Sequence, residues 1–477
     1  MRKILSLSVI LMLAQFAVAC NGNSDQLVES NEIDVVIVGG GFSGLTAAHY
    51  LQKKNVLVLE KDELAGGRCI SGHWKDFHYP KGTEYIGKPE QPLKGIIKKL
   101  GIKAQKIPAP TDGVAYNGKF YFGTDLLDYL SPEEKKQYNQ LQNQLSVFAN
   151  NGIEDLIFEE QDELRKYKVL DNMSVEQWLN KHNYSNLIQK FVDIENRGLF
   201  GTDNANYSML FNIPEMAFDL PNVGTINKSE VYSFSEGMYS IVSSLANRLG
   251  DKLITGAKVI AVNQNDKDLL EVIYERDGKE YRVSTKTVIM ATPAPITARI
   301  LGANLSRKAE KTLTNLKYSK YATINFFTKT RLLSETWSVS CIDEGQVVTL
   351  YDATRPQVAK DYKGESILSV YMAPEDAYDT NFTKQSDEEL LKNAYATLNK
   401  HYPNFEKEVV GYDINRFEYA FPIFSPGYAN NLDILLNDRS VNGPIFLAGD
   451  YMVYATVDGA IVSAENAAEN VLDYLNY

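Results

Sequence analysis

Three glycines, Gly39, Gly41 and Gly44, stand in the spacing G-x-G-x-x-G inside the stretch VIVGGGFSGLTAAHYLQ, and a carboxylate, Glu60, follows twenty-one residues after the first of them. Residues of these types at this spacing suit a dinucleotide when a strand precedes them and a helix follows. The first glycine permits a tight turn, the second lets a pyrophosphate approach the backbone, and the third lets a helix pack closely on a strand. An acid at that distance accepts hydrogen bonds from ribose hydroxyls.

Specific elements must hold these groups in place. IDVVIV, residues 33–38, apolar at every position but Asp34, is a run of the kind found in parallel strands covered on both faces. Ser43 to about Lys53 reads as the helix after the turn, with Phe42 and Ser43 at its start and its N-terminal amides and dipole facing phosphates. A second apolar strand, NVLVLE, ends at Glu60, and Lys61 follows. Strand, turn, helix, strand and terminal acid in this order predict an α/β, Rossmann-type dinucleotide-binding domain.

The following residues select the dinucleotide. EKDELAGGRC places Gly66, Gly67 and Arg68 just after the acid, and this resembles the G-G-R segment of the flavin-containing amine oxidase superfamily, which includes amine oxidases, protoporphyrinogen oxidases and carotenoid-type desaturases. The resemblance implies FAD, with the glycines and the arginine along it and the planar cation near its phosphates. Residues 79–102, YPKGTEYIGKPEQPLKGIIKKLGI, resemble the family stretch beside the flavin, which brings in Gly82, Thr83 and Glu84; Pro80 stands where the family usually has an aspartate.

Residues 443–472 resemble the family's closing motif. That resemblance assigns Gly449 and Asp450 to the ribityl or phosphate region, and the amides around Thr456, Val457 and Asp458 to the pyrimidine edge of the flavin. A helix N-terminus there stabilises negative charge that develops on reduction. A middle segment, VYSFSEGMYSIVSSLANRLGDKLITGAKVIAVNQ, resembles the return into the same domain, with Val259 as the backbone contact to adenine. After a hairpin through ERDGKEYRV comes TKTVIMATPAPI, which implies Ala291 and Thr292 near the cofactor. The FAD-binding domain is therefore expected to be discontinuous, over residues 32–90, 225–300 and 436–477, with an inserted α+β substrate domain over 91–224 and 301–435.

Family chemistry moves a hydride equivalent from the carbon beside an amine nitrogen to flavin N5, with reoxidation by oxygen or another acceptor. There is no second G-x-G-x-x-G and no Cys-x-x-Cys, so a small-molecule substrate, an amine or an apolar reductant, is expected to reduce the flavin directly. Family amine oxidases commonly carry a lysine near N5. In LKYSKYATINFFTK that place aligns with Ala322, and Lys320, two residues earlier on the same strand face, reads either as a substitute or as a surface lysine. Tyr428 in FSPGYANN reads either as one wall of the family's aromatic pair or as a core tyrosine, and Thr456 falls where monoamine oxidases have the second tyrosine. This departure keeps two alternatives open: a desaturase or protoporphyrinogen-oxidase-like enzyme acting on an apolar substrate, and a non-catalytic flavin-fold surface lipoprotein. His73 and His78 have no acidic or cysteine partner in ligand spacing, so no metal site is expected.

The N-terminus is set apart. Arg2 and Lys3 precede the apolar ILSLSVILMLAQFAVA, which reads as a signal peptide over residues 1–19. AVAC resembles a bacterial lipobox, implying lipidation at Cys20, a linker over 20–31 and an exported chain anchored to a bacterial membrane on its periplasmic or cell-surface side; ordinary cleavage beside an incidental cysteine is the alternative. The chain has 477 residues, of which 44% are hydrophobic and 23% charged, as expected for a soluble globular protein of two domains or of one domain with large insertions. Its net charge of −12, spread rather than blocked, argues against a nucleic-acid partner. Cys69 and Cys341 could form one disulfide, but nothing requires it.

Overall fold

β1 (Ile33–Val38) has apolar residues at consecutive positions because both its faces are covered; Val35, Val36 and Ile37 are fully buried. The structure, a computed structural model, describes residues 33–476 except 109–112, 124, 126–128, 220–230, 266–268 and 360. The expected signal peptide, Cys20, the linker after it and the boundary near residue 225 lie outside the described residues.

β1 pairs in parallel with Lys279–Met290 on one side and with β2 (Val56–Leu59) on the other. The seven-stranded sheet runs Lys258–Gln264, Leu270–Arg276, Lys279–Met290, β1, β2, Leu253–Ile254, with Ile445–Leu447 parallel to the end of Lys279–Met290. Strand Lys279–Met290 has two roles. Its first half forms an antiparallel hairpin with Leu270–Arg276 across Asp277-Gly278, both at positive φ, and its second half joins the parallel core. Met290 aligns with both Val38 and Leu447, so the segments leaving these three strands emerge side by side at one edge of the sheet. Doubly wound sheets bind ligands at that carboxyl edge. Helix α1 (Phe42–Tyr50) is two to three residues shorter than the sequence pattern predicts, and its Ala47 and Ala48 share an apolar cluster with Ala464, Ala467 and Ala468 of the last helix, Val457–Asn476.

A second seven-stranded sheet has the order Val409–Phe417, Tyr321–Thr328, Ser366–Met372, Val347–Asp352, Ser338–Cys341, Gly113–Tyr116, Lys119–Phe122. Period-two alternation along Tyr321–Thr328 separates its faces. Ala322, Ile324 and Phe326 pack against Leu390, Leu398 and Phe405, while Thr323 Oγ1 donates to Lys81 O (2.8 Å) and Asn325 Nδ2 donates to Pro80 O (3.0 Å). The inner face of this sheet therefore meets the 79–84 segment of the nucleotide unit. Helices Pro132–Asn150, Asn186–Phe200 and Met209–Asp219 pack on one another beside it.

The strands of the first sheet fall in residues 33–59, 253–290 and 445–447, those of the second in 113–122 and 321–417, so the two units interleave along the chain. Small elements cross between them: Gln105–Lys106 pairs with Tyr232–Ser233, and Trp74 of the hairpin Ser71–Trp74/Phe77–Pro80 stacks on Phe327 at 4.9 Å.

Candidate cofactor and substrate site

Each glycine of the first turn answers a different steric demand. Gly39 has φ +108°, and a Cβ there would lie 2.6 Å from Ala291 O. At Gly44 a Cβ would lie 1.9 Å from Gly39 O, so only hydrogen lets α1 sit this close to the strand end. Gly41 is the opposite case: its φ is −76°, and a Cβ would meet nothing within 4 Å. Its bare face looks into open space. α1 begins without a side-chain cap, leaving its first-turn amides to a ligand, and Gly41, Phe42 and Ser43 line a cavity there. This cradle fits a pyrophosphate.

Glu60 lies beneath the cradle. Its Oε2 accepts from Gly40 N (2.6 Å) and its Oε1 from Asp62 N (2.8 Å), which fixes the carboxylate with lone pairs left for a ribose. Burial pushes this carboxyl up, and the two amide bonds hold it down.

Distant segments close on the same cavity. Arg68 Nη1 donates to Asp450 Oδ2 (2.7 Å) and to Ala420 O (2.5 Å), Gly66 N donates to Gly40 O (2.8 Å), and Thr83 N donates to Arg68 O (2.9 Å). Thr456 Oγ1 accepts from Gly459 N (3.1 Å) and so caps the last helix where it reaches the cavity. The cavity, about 2090 Å³, exceeds the ~300–1,000 Å³ of an ordinary single-ligand pocket, leaving room for a dinucleotide and a substrate. Glu60, Lys61 and Val259 line it, as do Gly66, Gly67, Arg68, Ala291, Thr292, Gly449 and Asp450, and so do Gly82, Thr83, Glu84, Thr456, Val457 and Asp458. Gly44 does not line it and acts from below, through the close contact with Gly39.

An aromatic lobe adjoins this strip, with Tyr85, Phe200, Tyr321, Tyr351, Tyr371, Phe417, Tyr419, Phe421 and Tyr454 in its lining. Tyr371 meets Tyr321 and Tyr351 edge to face, with centroids at 5.9 and 5.1 Å. Glu84 is buried at its edge, and its Oε2 accepts from Tyr371 Oη (3.0 Å). Burial pushes the Glu84 carboxyl up to about 8, the Tyr371 bond pulls it down, and the Asp352 charge pushes it up again. Asp458 is pushed up to about 6, by burial first and then by Glu154 and Glu90. Twelve carboxylates against seven lysines and arginines line the cavity, so its field favours a cation.

The chain positions chosen for catalysis are placed differently from one another. Lys320 does not line the cavity: its Nζ donates to Glu418 O (2.7 Å) and pairs with the Glu418 carboxylate (2.6 Å). The reason is register, because Tyr321 faces the cavity and Ala322 faces the outer cluster, so the aligned position is turned away. Tyr428 is a core residue whose hydroxyl donates to Tyr451 O (2.9 Å) and whose ring packs on Phe424 at 4.1 Å; it does not line the cavity either. Thr456 does. His73 and His78 face each other across their hairpin, and burial, then the His73 charge, hold His78 down at about 4. Cys69 and Cys341 are separate buried thiols. Nothing local in the sequence marks Tyr321, Tyr351 and Tyr371 as lobe residues, whereas Phe421 belongs to FEYAF, residues 417–421, whose alternate aromatics carry a signal.

The family model described as flavin containing amine oxidoreductase matches residues 42–472. The probable flavin-containing monoamine oxidase A of Dictyostelium discoideum is 26% identical over 339 residues, covering 67% of this chain and 71% of its own length. The L-amino acid dehydrogenase of Synechocystis sp. is 24% identical over 291 residues, covering 57% of this chain and 59% of its own length, so the match spans less than two thirds of that relative. Wild-type putrescine oxidase bound to putrescine has the same fold, with a TM-score of 0.75 at 20% identity over 93% of this chain and 99% of that one. Because the family match runs from the first turn of α1 almost to the end of the last helix, the chain belongs to the flavin-containing amine oxidoreductase family and is an FAD-dependent oxidoreductase.

Proposed function

We propose that the protein oxidises a small primary or secondary amine, and that its reduced cofactor is reoxidised by oxygen with release of hydrogen peroxide. The observation that carries this reading is the aromatic lobe: it is continuous with the dinucleotide cradle, has a buried carboxyl at its edge, and belongs to a cavity with an acidic surplus. FAD, when bound, accepts a hydride equivalent from the carbon beside the amine nitrogen. The chain supplies position and field. The α1 amides hold the pyrophosphate, Glu60 holds the ribose, and the Arg68–Asp450 pair locks the cradle to the closing segment. Tyrosine and phenylalanine walls exclude water and orient the alkyl part of the amine, while the carboxylates draw its cation inward. Two relatives in fold or sequence are named for an amine and for an amino acid, which supports the class.

The test is a panel of amines mixed anaerobically with the FAD-loaded protein, followed by peroxide detection on admitting air. Bleaching of the flavin absorbance by an amine is expected. A second reading, desaturation of an apolar substrate, draws on the same aromatic walls. Bleaching by polyenes or porphyrinogens with none by amines would replace the first reading with it.

The location we propose is an exported face of a bacterial membrane, with a lipid on Cys20. The supporting pattern is Arg2-Lys3, the apolar run and AVAC. Among the described residues no helix is long and apolar enough to cross a membrane. A palmitate analogue should label the wild type and not Cys20→Ala.

A further inference from the structure

Glu84 is only 9% exposed, lines the cavity, and forms no ion pair among the described residues. Its surroundings define its protonation. Tyr371 Oη lies 2.6 Å from Gly82 O and 3.0 Å from Glu84 Oε2, yet a phenol has one hydrogen to give. That hydrogen is shared between the two acceptors. The shared bond to Glu84 offsets only part of the burial that pushes this carboxyl up to about 8, so at neutral pH in the ligand-free cavity Glu84 is a neutral acid. Burial, then Glu84 itself, keep the Tyr371 phenol protonated at any ordinary pH. The other carboxyl oxygen, Oε1, has no hydrogen-bond partner among the described residues.

The groups around Glu84 are few in kind. Tyr351 and Tyr371 come from the second sheet, Tyr321 from the neighbouring strand, and Tyr85 from its own segment. Asp352 acts on it as a charge and is itself paired with Arg331 at 2.6 Å. A cation arriving in the lobe therefore finds one carboxyl able to ionise beside it.

An alkylammonium has an ionisation near that of lysine, about 10.4, and enters as a cation. Its nitrogen lone pair must be free before a hydride can leave the adjacent carbon. We propose that Glu84 is the acceptor of the proton that the substrate ammonium sheds. As the cation enters, it drives the Glu84 proton to solvent, since an opposite charge favours the carboxylate. The ammonium N–H bond then breaks, its electron pair stays on nitrogen, and an O–H bond forms on Glu84. A neutral amine and a neutral acid remain, the form that a dry aromatic lobe favours over two buried charges. The net change is one proton released to solvent. This rests on the amine reading above.

The experiment follows anaerobic flavin reduction by an amine from pH 6 to 10 in FAD-loaded wild type, Glu84→Gln, Glu84→Asp and Tyr371→Phe. The wild-type limiting rate should rise through one ionisation well below that of the free amine. Glu84→Gln should be slower by about 100-fold or more at pH 7, the scale of a lost acid–base group, and should approach the wild-type rate at pH 10, where solution supplies free amine. Glu84→Asp should recover part of the rate at pH 7. Tyr371→Phe removes a bond that lowers the Glu84 ionisation, so its profile should shift to higher pH. FAD content and the flavin spectrum should be unchanged in all four. A Glu84→Gln profile that matches wild type, or is lowered equally at every pH, or accompanies loss of FAD, overturns the assignment. If no amine reduces the wild type, the amine reading itself has failed and this inference with it.

Discussion

Two alanine substitutions one turn apart in the glycine cradle should have opposite effects on folding, and the one that spares the fold should weaken cofactor binding. In Gly44→Ala the new methyl would sit 1.9 Å from Gly39 O, and backbone cannot give way as a flexible side chain can. To bring that contact even to 3.0 Å, α1 must back off the strand end by about 1.1 Å. Its Ala47 and Ala48 are packed against the last helix, so the shift is resisted from behind. Overpacking of this kind costs about 1–3 kcal/mol. In Gly41→Ala the backbone, at φ −76° and ψ −174°, accepts alanine without strain, and nothing lies within 4 Å of the methyl. The ligand-free protein should then be as stable as wild type or more so by about 0.4–1 kcal/mol, because alanine restricts the unfolded chain. The same methyl, however, projects where a pyrophosphate must touch the backbone. An overpacking penalty of about 1–3 kcal/mol there weakens FAD by roughly 5- to 150-fold. Urea unfolding of the FAD-free proteins and fluorescence titration with FAD separate the two quantities. A Gly41→Ala protein that binds FAD as tightly as wild type would refute the assignment of this turn to the pyrophosphate; a Gly44→Ala protein of undiminished stability would refute the steric argument.

Other outcomes follow from the same geometry. Lys320→Met should leave amine-driven flavin reduction within about threefold of wild type, since Lys320 does not line the cavity and its ammonium group is engaged by Glu418; a loss comparable to that of an acid–base group, about 100-fold, would return Lys320 to the reacting centre. Arg68→Ala should destabilise the FAD-free protein by about 1.5–3 kcal/mol in urea unfolding, because Asp450 is left buried without its charged partner; no change would mean that solvent already replaces the pair. The pH dependence of stability has a defined sign above neutrality. Glu84, raised to about 8, binds its proton more tightly folded than unfolded, so its contribution is present at low pH and is lost as pH rises through 8. His49 and His78, whose charging burial opposes, act in the other sense but only below about pH 6.5. Between pH 7 and 8.5 the FAD-free protein should therefore lose stability as pH rises, with Glu84 contributing a slope of at most about 1.4 kcal/mol per pH unit that Glu84→Gln removes. A slope that Glu84→Gln leaves unchanged would show that Glu84 is already ionised in the folded state.

The parts of this molecule legible in its sequence are those in which a local demand admits few residue types. Gly39 needs a positive φ and Gly44 cannot carry a Cβ at all, so both announce themselves at fixed offsets from a strand that is apolar at successive positions because it is covered on both faces. Arg68 and Asp450 are likewise marked by their neighbours, although 382 residues separate them in the chain and only the fold brings them to 2.7 Å. The substrate side obeys no such local rule. Whether Tyr321 or Ala322 faces the lobe depends on one residue of register in a strand buried on both faces, where all eight positions are buried and the polar positions Thr323 and Asn325 do not by themselves say which face meets the cofactor. A shift of one exchanges every inward side chain for an outward one, and it carried the lysine assignment with it. Tyr428 fails for a related reason: among 29 tyrosines, those with a role in the lobe differ from core tyrosines only in what the second sheet and the 79–84 segment place opposite them. Glu84 shows the same limit from the other direction. Its neighbours in sequence placed it beside the cofactor, but its protonation is set by Tyr371, 287 residues away, and by a burial that no window of sequence contains.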